Sequence, residues 1–390
     1  MKIAFITSGL LPIPASKGGA IETLLDSFIE ENERNKKNIE IVVYSIYDKD
    51  AKKMSKDLNY KKAKYKYINS FSNFVIRVIN KLFKKNVPIN LVYQKMVLKK
   101  INQEKYDYVI VENYPELVLN IKNQKVIPYI HSDVFNVETE NSLNILSKCY
   151  KVITVSNFIR NRVVEIDKTQ SNKVYTVYNS IDFKQISIDE QKNIRKLIRD
   201  KYNIGNNDFV YAFSGRLSKE KGVLECLKAF NKISVPQKKL LIIGGIWYGS
   251  KKKNDYLSEL EKNSDNNVIY TGYVKHNEMQ NILYSIDVGV VPSICNEAAG
   301  LSVVEFMNTN NLVVASNMGG ISEYLNIDDN FLIDYRNEEQ YINDLALGMK
   351  ESYNKLNSDE IVKEKNYLYS KKFSVEENYK NIINVLESEL

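Results

Sequence analysis

Cysteine, histidine, proline and glycine are all scarce in this chain of 390 residues, and each shortage closes off a class of protein. The 3 cysteines, Cys149, Cys226 and Cys295, share no Cys-x-x-Cys spacing and no His-rich neighbourhood, so neither a disulfide scaffold nor a structural zinc site is indicated. With only 15 Gly and 7 Pro, 44% hydrophobic residues and no biased tract, the chain reads as folded throughout, with disorder confined to its ends. No apolar run approaches the roughly 20 residues of a membrane-spanning helix. Met1 to Ile6 leads straight into an apolar strand, without the longer hydrophobic region and cleavage site of a secretory signal. A cytoplasmic protein is expected.

What is present is enough chain for two α/β domains and a lopsided charge. Residues 1 to 180 carry 29 Lys plus Arg against 18 Asp plus Glu, while residues 181 to 390 carry 26 against 30. The excess concentrates between Lys49 and Lys100, where 15 basic residues meet two acids, Asp50 and Asp57. Aromatic residues interleave there, and Phe71, Phe74, Val75, Val78, Ile79, Leu82 and Phe83 recur at helical spacing beside Arg77, Lys81, Lys84 and Lys85. Two readings stand: a helix lying on an anionic membrane surface, or an ordinary surface helix burying its apolar face. Asp48-Lys49-Asp50 has the Asp-x-Asp form of some metal sites, but in so basic a loop chance is the better account.

Apolar runs bounded by turn residues mark strands along the whole chain. Lys2 to Ser8 is followed by a loop with Lys17-Gly18-Gly19 and a helix from Ala20. Strands at Ile39 to Ile46, Tyr106 to Val111, Lys125 to Ile130, Lys151 to Ser156 and Lys173 to Tyr178 complete a first half. The fourth of these six runs into His131, one of 2 histidines in the protein. A second series opens with Asp208 to Leu217 and continues at Lys239 to Gly245, Val268 to Tyr273, Asp287 to Ser293 and Leu312 to Ser316. Strand, Gly-rich loop, helix is an arrangement that lets backbone approach a phosphate, though a glycine pair alone is equally a tight turn. Arg216 and Lys221, five residues apart across one loop, are close enough to converge on one anion.

The most informative stretch is Asp287 to Glu323. A buried strand ends at Val291-Pro292-Ser293, the loop Asn296-Glu297-Ala298-Ala299-Gly300 follows, and a helix is expected to start at Ser302 with Glu305 as its capping partner. Two carboxylates thus bracket a small-residue turn at a strand's carboxyl end, where open α/β sheets bind ligands. Carboxylates accept hydrogen bonds from sugar hydroxyls, and a helix N-terminus attracts phosphate. The plainer alternative is that Glu305 only caps and Glu297 is only a solvated loop acid.

Glu297, seven residues, Glu305, preceded by Val291-Pro292-Ser293 and followed by Ser316 to Glu323, resembles the donor-site signature of the retaining glycosyltransferases of family 4, within glycosyltransferase group 1. The resemblance extends over nearly the whole chain. It implies a GT-B fold: α/β, with two facing doubly wound Rossmann-like domains and a cleft between them. The expected division is an acceptor-binding domain at 1–183, a sugar-nucleotide domain at 184–368, and a terminal helix at 369–390 that crosses back to the first domain. Asn179-Ser180-Ile181-Asp182 is similar to the family's closing turn, with Ser180 in place of the usual glycine, and Val375 stands where an aromatic is usual.

By that resemblance Arg216 and Lys221 neutralise the donor diphosphate, with the Gly18-Gly19 loop facing it, and Glu22 falls where the family often has a glutamate. Glu305 holds the ribose hydroxyls. Glu297 and the backbone of Ala298, Ala299, Gly300, Leu301 and Ser302 orient the sugar, while His131 contacts it from the first domain. Gly215, Gly244, Tyr273 and Val274, at strand ends, are expected to meet the nucleotide. The resemblance implies no cofactor and no metal, a UDP-linked hexose or N-acetylhexosamine as donor, and a glycan, lipid-linked saccharide or protein as acceptor in cell-surface polysaccharide or glycoconjugate synthesis. No nucleic-acid-binding module is present. Three alternatives use the same architecture: a sugar-nucleotide epimerase, a phosphorylase-like enzyme, for which no pyridoxal-binding lysine suggests itself, and a non-catalytic relative retained as a coat component.

Overall fold

The computed structural model describes residues 1–69, 76, 81, 82, 88–245, 255–358 and 361–389. The chain divides into two compact units, one made of Met1–Ser180 with Val375–Leu390, the other of Ile181–Ser374. Both are doubly wound parallel sheets, the α/β class expected.

The first unit is built on β1 (Lys2–Ile6), β2 (Glu40–Ile46), β3 (Ala63–Ile68), β4 (Tyr108–Glu112), β5 (Val126–Ile130), β6 (Val152–Thr154) and β7 (Val174–Thr176), in spatial order β3-β2-β1-β4-β5-β6-β7. Strands covered on both faces need continuous apolar sequence. Accordingly Ile41, Val42, Val43 and Tyr44 of β2 and Val109, Ile110 and Val111 of β4 are fully or almost fully buried. The order reverses between β1 and β4, which makes their carboxyl ends the switch point of this sheet. Helix Val375–Glu387 completes the unit by packing on helix Ala20–Arg34, where the Phe28 and Tyr379 rings lie 5.1 Å apart and the Tyr379 hydroxyl donates to Asn32 Oδ1 at 3.0 Å. Its carboxyl end is held by Lys151, whose Nζ donates to the Val385 carbonyl at 2.7 Å and to Ser388 Oγ at 2.8 Å. The Tyr108 hydroxyl adds a bond to the Leu386 carbonyl at 2.7 Å.

The second unit holds β8 (Phe209–Ser214), β9 (Lys238–Ile243), β10 (Val268–Gly272), β11 (Val288–Val291), β12 (Leu312–Ser316) and β13 (Phe331–Ile333), ordered β10-β9-β8-β11-β12-β13, with its reversal between β8 and β11. Two apolar layers sandwich this sheet. One centres on Tyr211, Phe230, Val288, Val290 and Met349, the other on Ala212, Leu241, Val303, Phe306 and Val313. Helix Ile188–Lys201 is tied to the sheet by a buried Arg199, whose guanidinium reaches Asp287 Oδ2 at 3.1 Å and the Ser285 carbonyl at 3.0 Å.

Two strands escape the pattern reading. β3, Ala-Lys-Tyr-Lys-Tyr-Ile, is an edge strand that alternates lysine with tyrosine, so its composition looks like a charged surface segment. β13, at the other sheet's edge, has only three residues. The Asp48-Lys49-Asp50 motif has a structural use: Asp48 caps helix Lys49–Leu58 by accepting from the amides of Asp50 and Ala51. The amphipathic run of 71–85 lies outside the described residues apart from Ile76, Lys81 and Leu82.

Candidate active site

The loops that leave β8, β9, β10, β11 and β12 are laced together by backbone contacts at the carboxyl edge of the second sheet. Leu217 donates to the Gly245 carbonyl at 3.1 Å, Gly244 to the Gly272 carbonyl at 3.1 Å, and Ile294 to the Glu220 carbonyl at 3.0 Å. Gly320 donates to the Glu297 carbonyl at 2.7 Å. Close packing of main chain on main chain leaves no room for side chains at Gly222, Gly244 and Gly319. A Cβ on Gly222, φ 67°, would stand 1.8 Å from the Pro292 carbonyl oxygen, and one on Gly244, φ 141°, would stand 1.9 Å from that of Gly215.

This lacework fixes a polar cluster at the switch point between β8 and β11. Lys221, from the β8 loop, puts its Nζ 2.5 Å from Glu297 Oε1 in the β11 loop, and the Ser293 hydroxyl donates to the same oxygen at 2.7 Å. Both charged side chains are about four-fifths buried, with 24% and 19% exposure. Arg216 is half exposed on the β8 loop, with a guanidinium nitrogen 3.7 Å from Glu220 Oε1. Ser218 donates to that carboxylate oxygen at 2.7 Å, and these bonds together with Arg216 and Lys221 hold the Glu220 carboxyl below its usual range. Ser293, Ser218 and Glu220 were not singled out from sequence, since a short polar residue beside a charged one carries no signal until the loops are brought together.

Glu297 and the small residues after it lead into helix Leu301–Asn308, whose N-cap is Gly300. The helix therefore starts before Ser302, and no side chain caps it, so the expected Ser302 and Glu305 capping box is not formed. The Gly300 carbonyl accepts from the amides of Val303 and Val304 at 3.0 and 3.3 Å, so the helix opens a residue earlier than the Ser-to-Glu spacing suggests. Amides at such an opening have no acceptor inside the helix and point outward. Glu305 lies one turn further in. It keeps part of its surface open, yet enough protein surrounds its carboxyl to push its pKa up to about 7 by desolvation alone. Among the described residues no side chain pairs with it. Of the other expected nucleotide contacts, Tyr273 is exposed beyond β10, while Val274 packs against the core layer of Ala212 and Leu241.

The first unit gathers a second cluster at its own switch point. Gly18 turns back on Ala15, and Gly19 caps helix Ala20–Arg34, its carbonyl accepting from the Thr23 amide at 2.9 Å. Glu22, in that helix's first turn, accepts from Ser8 Oγ at 3.4 Å, and burial pushes its carboxyl up. His131, beyond β5, places Nε2 2.7 Å from Glu112 Oε2 at the end of β4, and both side chains are at least nine-tenths buried. Its backbone amide donates to Asn113 Oδ1 at 2.7 Å, and its ring lies 4.1 Å from that of Tyr129. Nδ1 is buried with no partner among the described residues. Glu112 went unnoticed in the sequence because it closes an otherwise apolar strand.

Two parallel-sheet Rossmann-like units are the GT-B architecture, and the comparisons with known proteins agree with it. Residues 194–368 match the family described as glycosyl transferases group 1. The putative glycosyltransferase YtcC of Bacillus subtilis (strain 168) is 25% identical over 339 residues, spanning 83% of this chain and 76% of that protein. Spore coat protein SA of the same organism is 25% identical over 365 residues, spanning 88% and 90%. The crystal structure of Anabaena Alr3699/HepE in complex with UDP and glucose superposes with a TM-score of 0.72 over 100% of both chains at 19% identity, so the fold is shared along the whole length.

Proposed function

We propose that this chain is a retaining, family 4 glycosyltransferase that moves a sugar from a nucleoside diphosphate sugar to an acceptor hydroxyl in cell-surface glycan or glycoconjugate synthesis. The observation that carries the reading is the cluster at the second switch point. A lysine, a carboxylate and a helix start converge at the carboxyl edge of a doubly wound sheet, where the fold receives nucleotides. Lys221 and Arg216 balance the charge that grows on the departing diphosphate, and the opening amides of helix Leu301–Asn308 add a favourable dipole. Glu305 accepts from the ribose hydroxyls, and Glu297 accepts from the transferred sugar. His131, whose Nε2 lies 2.7 Å from Glu112 Oε2, is assigned a part in sugar recognition by the resemblance alone. No protein nucleophile is assigned; catalysis rests on positioning and leaving-group electrostatics. The HepE complex with UDP and glucose supports a uridine donor.

Similarity to a spore coat protein raises the second reading, a structural relative without activity. Arg216, Lys221, Glu297 and Glu305 favour catalysis, because a decayed site has no reason to keep both cations and both acids. The acceptor is a glycan, a lipid-linked saccharide or a protein, and the basic first unit suits an anionic membrane surface that presents it. Helix Lys49–Leu58 exposes Lys52, Lys53, Met54, Lys56 and Leu58, and helix Leu91–Ile101 exposes Lys95, Met96, Lys99 and Lys100. Product analysis with radiolabelled UDP-, GDP- and ADP-sugars tests the assignment. Label transferred to an acceptor or to water supports it, an epimerised sugar nucleotide indicates the epimerase, and unchanged substrate in every case favours the structural protein.

A further inference from the structure

The ion pair between Lys221 and Glu297 puts the site's innermost cation in the grip of a carboxylate before any ligand is present. One oxygen, Glu297 Oε1, receives both the lysine ammonium at 2.5 Å and the Ser293 hydroxyl at 2.7 Å. The acid cannot easily swing away. Its backbone is clamped on the β12 loop, with the Gly320 amide on its carbonyl at 2.7 Å, and Pro292 packs on Gly222, next to Lys221 in sequence. Whatever binds a phosphate at Lys221 must therefore share the ammonium with Glu297 or draw it away.

We infer that Glu297 acts as a latch on Lys221 that favours the sugar nucleotide over the spent nucleoside diphosphate, and so promotes product release. This rests on the transferase reading above. The two ligands differ in two ways that a carboxylate senses. A sugar nucleotide brings hydroxyls that donate to Glu297 and satisfy it while Lys221 turns to the phosphate. Its diphosphate is a diester, with one ionisable oxygen fewer than the free diphosphate. The spent nucleotide offers no hydroxyl at that place, and its terminal phosphate adds negative charge beside an acid that still holds the lysine. Like charges at close range in a part-buried site disfavour binding. Glu297 thus aids the substrate and penalises the product with the same atoms.

The experiment is calorimetric titration of the full chain with UDP, GDP, ADP, UDP-glucose and inorganic pyrophosphate, for the wild type, Glu297→Gln, Lys221→Ala and the double variant. Glutamine keeps the size of the side chain and the bond from Ser293 while removing the charge. Glu297→Gln is expected to bind UDP and pyrophosphate about five- to tenfold more tightly, the scale of a part-buried ion pair, and to bind UDP-glucose no more tightly than the wild type. In the Lys221→Ala background the gain should shrink to the part that comes from removing a like charge, because no lysine is left to be released. Ser293→Ala, which loosens the acid without removing its charge, should give a smaller gain and guards against a misfolded first variant. Unchanged or weaker UDP binding by Glu297→Gln, or a gain undiminished without Lys221, overturns the latch and leaves the transferase reading standing. If neither wild type nor variant binds UDP, GDP, ADP or pyrophosphate, the transferase reading itself falls, and the latch with it.

Discussion

Glu305 offers a titration that separates ligand recognition from mere burial. Desolvation alone raises its pKa from the ordinary 4.5 to about 7. At that value about one carboxyl in ten is ionised at pH 6 and about nine in ten at pH 8. Ribose hydroxyls are donors, and only the ionised acid offers both oxygens purely as acceptors. Affinity for UDP-glucose should therefore rise about tenfold from pH 6 to pH 8, following the ionised fraction. The ligand's own diphosphate is a diester without a second ionisation in this range, so the slope belongs to the protein. Calorimetry or competition binding at pH 6, 7 and 8 reads it directly. Glu305→Gln should be flat with pH and about tenfold weaker than wild type at pH 8, because a charge-assisted bond is lost. A wild-type profile that is flat, falls with pH, or keeps its slope in the glutamine variant refutes the ribose assignment. The stability of the free protein runs the other way. A carboxyl whose folded pKa lies above its unfolded one contributes most below about 4.5 and loses that contribution as pH climbs through about 7. Asp26, in the first unit and also pushed up to about 7 by burial, shares that sign. Thermal unfolding should thus ease between pH 5 and 8 even as ligand binding strengthens, and Glu305→Gln should remove part of the decline.

Lys221→Ala should lower kcat about a hundredfold or more while weakening sugar-nucleotide binding much less, since charge on the leaving phosphate grows as the bond breaks; equal losses in kcat and affinity would mark simple ground-state binding. Transfer should survive excess chelator, because Arg216, Lys221 and a helix terminus supply the countercharge, and activity lost to chelator and restored by magnesium or manganese would contradict this. Liposome flotation should show binding to anionic vesicles that fades as salt shortens the screening length to about 3 Å at 1 M. With each basic residue near the surface contributing about 1 kcal/mol, changing Lys52, Lys53 and Lys56 together to Glu should weaken it strongly, and a protein that ignores anionic vesicles at low salt would end the membrane proposal.

The strands that build both sheets were legible because parallel strands buried on two faces are written as apolar runs, and Ile3 to Ile6, Val109 to Val111 and Leu312 to Ala315 leave no ambiguity. The switch points follow from connection order, yet a linear sequence does not say which loops will lie side by side. Lys221 and Glu297 are 76 residues apart, and nothing in either loop announces that one neutralises the other. Glu112 was hidden for a related reason, because its partner His131 is supplied by the neighbouring strand. Ser302 shows the opposite failure: a good local capping signal was overruled because the first helical bonds go to the Gly300 carbonyl instead. β3 was missed because its lysines project from a sheet edge, where charge is compatible with a strand, while composition alone suggested a solvated segment.

The helix at Val375–Glu387 has a consequence for the order in which the protein is made. Most of the first unit precedes the second in sequence, but the groups that satisfy Lys151 Nζ, at Val385 and Ser388, are made only after the whole of the second unit. Lys151 is fully buried, and its desolvation already lowers its pKa. Until those groups arrive, its ammonium has to stay hydrated, and the apolar groove lined by Phe5, Leu25 and Phe28 that receives Tyr379 and Ile382 stays open. The second unit, being continuous in sequence, can close its own core first. Synthesis therefore runs in one direction while folding is completed in the other, with the amino-terminal unit exposing an apolar groove for as long as translation of the second unit takes. The chain's dependence on chaperones should be concentrated in that interval and in that groove.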